Sequence, residues 1–544
     1  MREGFFGLNV AVRGLYTAQR GLDVVNYNLN NVNTPGYSRQ QAIQVASKPM
    51  PLYDGTGMLG TGSDVTGVQR VRDEYLDFKY WSENVSYGEW DTKRTQLADM
   101  EATFNEPSDS GFSTIMNDFY SSFQELAKDP SSEAVRALVR EKGVTLAKYF
   151  NSTATHFEKL QGDLNYNVKT KVEEINSLGT QIQQLNRQIY SAELDGNTAN
   201  DLRDQRTVLV DKLSKLINIQ ANEVVTGKLP SGKDDKHFVI TISGKAFIDH
   251  FQLSKLDIQQ RSTKVNNEDI DNLYDVKWAD GNTLDVKGGE LRGYLDIRDG
   301  NDGVNNGILY KGVPYYIRRM NEFVQTFAMS FNEGFYNVKR LAGGSIDSSV
   351  PVSKGEGHVD GYALNSTSAD TAPADIRFFT MLGTNSQPVD SATFKGKAVT
   401  LSEIRDQYSK ITAKNFAVGA DIMSDVKLIS VSDKGGEVGN INILNKLIEN
   451  RHDPHMFVEG APEDFMKSLV TTLGIDSQQA IRLSNNQQSI VKQIENRKLS
   501  DSGVSIDEEM ANLVKFQHAY NASAKMITTM SEVYDTLINK MGVV

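Results

Sequence analysis

The 544-residue chain has no cysteine. That excludes a disulfide framework, a thiol nucleophile and a zinc site built on thiolates. Proline and tryptophan are also sparse, at 12 and 3. An excess of basic charge is missing too. The 58 Lys and Arg residues face 70 Asp and Glu, for a net charge of −12, which argues against nucleic-acid or anionic-membrane binding through bulk charge. No segment approaches the ~20 apolar residues of a membrane span. The N-terminus runs from Phe5 to Val12 before Arg13 interrupts. A secretory signal needs a longer uncharged core and a small-residue cleavage site, so export, if it occurs, is expected by a route that leaves no cleaved signal. What is present is length for about three or four domains, with 39% hydrophobic and 24% charged residues, a composition that is low in apolar residues but not disordered.

The clearest pattern lies at the two ends. Leu8, Leu15, Leu22 and Leu29 recur every seventh residue, and Ala11, Ala18, Val25 and Val32 follow each by three. This reads as a heptad seam along one helix, stopped at Asn30-Asn31-Val32-Asn33-Thr34-Pro35-Gly36-Tyr37 because proline and glycine end helices there. At the other end Ile506, Leu513, Tyr520, Ile527, Tyr534 and Met541 keep the same spacing, with Phe516, Met530 and Leu537 alongside and Ser523 the weak position. Val504-Ser505 looks like an N-cap entry, with Glu508 completing a capping box. Residues 1–50 carry five basic and two acidic side chains, and residues 501–544 three basic and six acidic. Two lone seams of opposite charge are expected to pair with each other, since one seam is marginal in water; on periodicity alone, each helix capping its own local core stays open as the alternative.

Between the ends the period changes twice. Phe150, Phe157 and Leu164 share one helical phase; after a four-residue step Val168, Ile175, Ile182 and Ile189 share another, with Leu178 and Leu185 beside them. Asp195-Gly196-Asn197 breaks the run and Leu202, Leu209, Leu213 and Leu216 resume it, which predicts a long antiparallel helical hairpin interrupted by a stutter. Beyond Gly227 the alternation of Phe238, Ile240 and Ile242 predicts a strand, and Asp280-Gly281-Asn282 a hairpin turn. A helix is expected from about Val304 to Val338, with Met320, Phe323, Phe327 and Phe331 on one side, short strands within 341–435, and helix again from Ile441 to Arg497.

The fold class expected is therefore mainly α with inserted β: coiled-coil terminal helices, an elongated helical-bundle body and outer β-rich regions. The domains fall at 1–50 with 501–544 for the terminal pair, 51–225 with 289–340 and 436–500 for the body, and 226–288 with 341–435 for the β-rich insertions.

No motif makes a convincing active site. Gly55-Thr56-Gly57-Met58-Leu59-Gly60 spells a dinucleotide fingerprint, but no strand-to-helix context surrounds it. Gly227-Lys228-Leu229-Pro230-Ser231-Gly232-Lys233 approximates a phosphate loop, yet Asp234 stands where Ser or Thr should hold magnesium and a strand follows. His452-Asp453-Pro454-His455 lacks the helix and converging ligands of a metal site. No catalytic residue, metal or cofactor is expected.

The terminal motifs are more specific. Asn30 to Gln40, which includes Pro35-Gly36-Tyr37-Ser38-Arg39, resembles the N-terminal signature of the bacterial flagellar rod, hook and hook-associated family. Ser502 to Leu513, Phe516 to Lys525, Glu106 to Phe112, Leu202 to Arg206, and the Gly60-to-Arg70 stretch are similar to segments of the same family, hook–filament junction members in particular. The resemblance implies a structural role, with both termini in an inner coiled coil and β regions facing outward. It also implies export through the flagellar type III channel, self-assembly in a ring or helical layer, and a place at the hook–filament junction. Its partners would be the hook protein, a second junction protein and a cytoplasmic export chaperone at the C-terminal segment, with no nucleic acid and no membrane insertion. The assembly seam expected comprises Leu8, Leu15, Leu22, Leu29, Val25, Val32, Ile506, Leu513, Phe516, Tyr520, Ile527, Met530, Tyr534, Leu537 and Met541. Another axial role (hook, flagellin or second junction protein) is the alternative, and an enzyme carried in an inserted domain the more distant one.

Overall fold

A computed structural model describes residues 6–51, 55, 57–104, 111–304, 308–334, 355–370, 372–396, 398 and 400–540. The chain opens with α1 (Phe6–Asn30), then β1 (Gln40–Ala46), β2 (Met50–Pro51), β3 (Met58–Leu59) and β4 (Ser63–Arg70). β1 pairs antiparallel with β4, from Gln40 opposite Arg70 to Ala46 opposite Ser63. A boundary at residue 50 therefore fails, because it would cut between two paired strands.

The helical body follows as α2 (Glu74–Phe104), α3 (Phe112–Lys128), α4 (Glu133–Glu193) and α5 (Asn200–Leu216). α4 has 61 residues, about 90 Å at 1.5 Å per residue. Ser132 caps it, its side chain accepting the Val135 N–H. The break comes at Gly196, whose φ of 84° suits glycine. The stutter has a structural meaning. Phe150, Phe157 and Leu164 enter one core, while Val168, Ile175 and Ile182 enter a second, so the phase step marks where α4 passes between them. α2 was not expected from its apolar pattern, since it buries Asp77, Asn84 and Lys93 as well as Leu76, Trp81 and Leu97 and so shows no single stripe.

The second core lies under a four-stranded antiparallel sheet in the order β5 (Gln220–Lys228), β6 (Asp234–Ile242), β7 (Lys245–Asp249), β8 (Gln252–Leu253). Phe238, Ile240 and Ile242 are buried against α4 and α5. β9 (Leu256–Gln260) pairs with β10 (Tyr274–Trp278), and past β10 Gly281 turns the chain back on Lys277 with φ of 86°. The sequence resembling a phosphate loop is the β5–β6 turn.

α6 (Glu290–Asp299) and α7 (Val313–Glu333) return the chain to the first core. α7 starts later than Val304 because Pro314 sits in its first turn, and it stops at Gly334, a left-handed C-cap with φ of 68°. Met320, Phe323, Phe327 and Phe331 are all fully buried, with Phe323 ringed by Phe112, Phe150, Phe327, Phe457 and Phe465.

The expectation for 341–435 needs correction. Its described residues form only two three-residue strands, β11 (Phe379–Met381) and β12 (Phe416–Val418), among the helices α8 (Ser391–Lys395), α9 (Leu401–Tyr408) and α10 (Ala420–Ser424). Nor is the segment peripheral. Phe378, Phe379, Phe394, Tyr408, Phe416 and Val418 belong to the same core as α3, α4 and α7. Its short apolar pieces are satisfied by docking on helices rather than by a ladder.

The final run is also interrupted: α11 (Asn442–Glu449) and α12 (Pro462–Ser502) flank the Asn450–His452 turn and Pro454. α12 lies antiparallel along α2, with Ser477 near Glu101 and Gln487 near Glu83. α13 (Ile506–Asp535) ends in a π-helical turn, Thr536–Lys540. No described helix is long and apolar enough to cross a membrane.

Candidate assembly interface and its clasp

α1 and α13 pack along each other, and small residues let them approach. A Cβ placed on Gly7 would meet Met530 Cε at 2.7 Å, one on Gly14 would meet Ser523 Oγ at 3.0 Å, and one on Gly21 would meet the Phe516 ring at 2.7–2.8 Å. Glycines rising by seven meet residues falling by seven, so the helices run antiparallel. Ala11, Ala18 and Val25 lie four residues beyond each glycine and are buried. The 7, 11, 14, 18, 21, 25 spacing is itself an a/d heptad. Glycine inside a helix costs roughly 1 kcal/mol relative to alanine; here each one makes room for a large side chain from the opposite helix.

The expected seam thus divides. Val25 lies in the buried column. Leu8, Leu15, Leu22, Leu29 and Val32 are half-buried, the four leucines one position over from the glycines. On α13, Phe516 and Met530 cover glycines, and Leu513, Tyr520, Ile527 and Tyr534 are half-buried. Ile506 and Leu537 are 54% and 50% exposed. Met541 lies outside the described residues. Gly7, Gly14 and Gly21 keep the same sevenfold spacing as the leucines, but a heptad pattern of large apolar residues does not contain them.

A polar clasp joins this helix pair to the body. Beyond α1, Thr34 Oγ1 donates to Asn31 Oδ1, and Gly36 turns with φ of 77° where a Cβ would fall 2.1 Å from Val208 Cγ2. Only glycine fits there. Buried Asn28 then holds the returning chain: its Oδ1 accepts from the Gln40 N–H at 2.9 Å and the Tyr37 hydroxyl at 2.7 Å, and its Nδ2 donates to Gln40 O. Burial raises the Tyr37 phenol above its ordinary range. The hydrogen bond of Tyr27 to Asp201 raises that phenol too. Both stay neutral donors.

Asp204 of α5 is the receptor. Its two oxygens accept the Ser38 N–H and hydroxyl, each at 2.8 Å, and Arg70 Nη1 at 2.8 Å. Arg72 donates to Ser38 Oγ and grips Asp77 of α2 through two bonds of 2.7 Å. Burial would lift the Asp77 carboxyl, but Arg72 and Lys498 hold it below the usual carboxylate range. Lys498 of α12 lies 2.9 Å from Asp77 and 3.2 Å from Asp211; burial dominates at Asp211 and raises it. Arg39 ties in α13. Its N–H donates to Ser502 O at 2.8 Å, Nε to Glu509 Oε1 at 2.8 Å and Nη1 to Glu508 Oε2 at 2.8 Å. The expected capping box is absent: Ser505 makes no side-chain cap bond, and the Glu508 carboxylate accepts from Arg39 instead.

Ser38, Arg39, Arg70, Asp204, Glu508 and Glu509 lie within the motifs that resembled flagellar proteins, and comparison with known proteins agrees. The chain is 29% identical to flagellar hook-associated protein 1 of Bacillus subtilis, covering 100% of this chain and 99% of that one. The chain is similar along its whole length to flagellar hook-associated protein 1. The Escherichia coli and Salmonella typhimurium proteins of the same name are 23% and 24% identical, each over 98% of this chain and 99% of theirs. Residues 97–336 match the flagellar hook-associated protein FlgK helical domain, residues 8–37 the flagella basal body rod protein model, and residues 496–540 the flagellar basal body rod FlgEFG protein C-terminal model. The fold matches the solved flagellar hook junction protein FlgK from Burkholderia pseudomallei, with a TM-score of 0.54 at 13% identity over 80% of this chain and 100% of that one.

Proposed function

We propose that this chain is a structural protein of the bacterial flagellum, exported to the hook–filament junction, where it joins hook to filament. The observation that carries the reading is the clasped terminal pair. α1 and α13 close on each other through small residues, yet keep half-buried leucines and exposed Met510, Val514, Met526 and Val533 on their flanks. Such flanks suit packing against neighbouring copies in a ring or helical layer. Arg39, Arg70, Arg72 and Asp204 give the pair a defined attachment to the body.

In this reading the hook protein lies on one side and a second junction protein on the other. A cytoplasmic chaperone covers the C-terminal segment before export, and the seam residues named above carry the assembly. The protein is not an enzyme: its chemistry is packing and ion pairing.

The test is complementation of a junction-null strain. Restored motility with filaments held on the hook supports the reading. Normal secretion of the chain with filaments still shed into the medium overturns it, and turnover of denatured casein or peptidoglycan by the purified chain overturns the non-enzymatic part.

A further inference from the structure

The glycine column creates a problem of register. Gly7, Gly14 and Gly21 are equivalent, so sliding α13 by one heptad would still set its residues over glycines. Something must choose one alignment. The observed step, Gly7 to Met530, Gly14 to Ser523 and Gly21 to Phe516, continues to Asn28 and Glu509. Both are polar and both are 1% exposed. Glu509 is also the one buried residue among those described in α13.

Resting on the reading above, we propose that Glu509, paired with Arg39 beside Asn28, is the register-determining residue of the α1–α13 pair. Its placement stabilises poorly but discriminates well. Oε1 accepts from Arg39 Nε, whereas Oε2 is buried with no hydrogen-bond partner among the described residues. A half-satisfied buried carboxylate is a weak source of stability, and a polar residue at one core position of a coiled coil sets alignment at some cost in stability. Slipping α13 one way carries Glu509 to Gly21, away from Arg39, and leaves the charge buried and unpaired. Slipping it the other way pulls α13 past the end of α1. In this chain Arg39 and Glu509 come from opposite termini, so the lock also closes the polypeptide into a loop before neighbours add.

The absence of cysteine makes the test clean. Three full-length variants carry Ser523→Cys with Gly7→Cys, Gly14→Cys or Gly21→Cys, each with and without Glu509→Leu, and are oxidised as verified monomers. A Cβ at residue 14 lies 3.9 Å from Ser523 Cβ, inside the usual disulfide range of about 3.5–4.5 Å. With Glu509 present, the 14/523 pair is expected to cross-link at least tenfold faster than 7/523 or 21/523. In the Glu509→Leu series the three rates should come within a fewfold of each other, while circular dichroism stays helical. The reversed pair Arg39→Glu with Glu509→Arg should restore the preference. A single register retained in the Glu509→Leu series overturns the proposal, as does loss of preference in the reversed pair when its helicity is intact. If 14/523 never closes, the helix pair itself is wrong; if the register result holds but filaments are shed in vivo, only the junction reading fails.

Discussion

α7 and α13 are both long helices with apolar residues at regular spacing, yet they belong to different regimes. Sixteen of the 21 residues of α7 are buried, against one of 30 in α13. α7 sits in a ring of phenylalanines that the chain supplies itself. Among the described residues α13 packs closely on α1, and it leaves its flanks to whatever packs beside it. The contrast teaches that this chain separates self-sufficient stability from shared stability. The body is a finished core, while the terminal pair is a half-built surface held at one end by ion pairs.

The largest break should come from the body. Phe323→Ala removes a fully buried ring from an aromatic cluster and should cost about 3–5 kcal/mol, read as a lower denaturant midpoint for the whole body. Asp204→Ala attacks the joint between the regions. It leaves Ser38 and Arg70 without their receptor and should cost about 3 kcal/mol locally. Hydrogen exchange should rise over residues 31–46 while α7 stays protected; equal loosening of both would erase the distinction between them.

The body also contains an acid-sensitive group. Burial lowers the His358 imidazole to about 4, because it is enclosed, with Nδ1 bonded to Ile376 O and Nε2 accepting the Ser430 N–H. A histidine with a depressed folded value binds fewer protons folded than unfolded. Its contribution is therefore complete above the unfolded value of ~6.5 and declines as pH falls toward 4. Across that window stability should drop by about 2–3 kcal/mol, and His358→Gln should flatten the slope measured by chemical unfolding at stepped pH. The same slope in the variant would show that other groups carry it.

Gly21→Val should have the smallest effect on the body and a selective one on the ends. Its methyls would run into Phe516, a strain of about 1–2 kcal/mol, enough to loosen α13 in hydrogen exchange with no shift in the body's thermal transition.

The sequence exposed this division unevenly. Heptads at both ends, the α4 stutter, the break at Gly196 and the aromatic face of α7 were legible because each is a long repeat of one period. The glycine column stayed hidden for the opposite reason: its members contribute space rather than apolar surface. α2 was obscured by buried Asp77, Asn84 and Lys93, each of which pairs with a residue far along the chain, Lys498, Asp211 and Asp296 respectively, in addition to any local partner. Segment 341–435 read as outer and β-rich because the short strands and helices of its described residues, three to eight residues long, carry no measurable period, and only the aromatic residues they place in the core reveal where they lie. Asp204 and Glu509 are single carboxylates whose meaning depends on Ser38 and Arg39, well over a hundred residues away.

The most direct test of the two-regime account is Ile527→Asp, made in the full chain and followed in two ways. Ile527 is half-buried on α13, where a carboxylate would be unpaired once neighbouring copies close over it. The purified variant should keep the body's thermal transition, while a null strain expressing it should secrete the chain normally and shed its filaments. A body that melts together with α13, or filaments that remain attached, would contradict the separation.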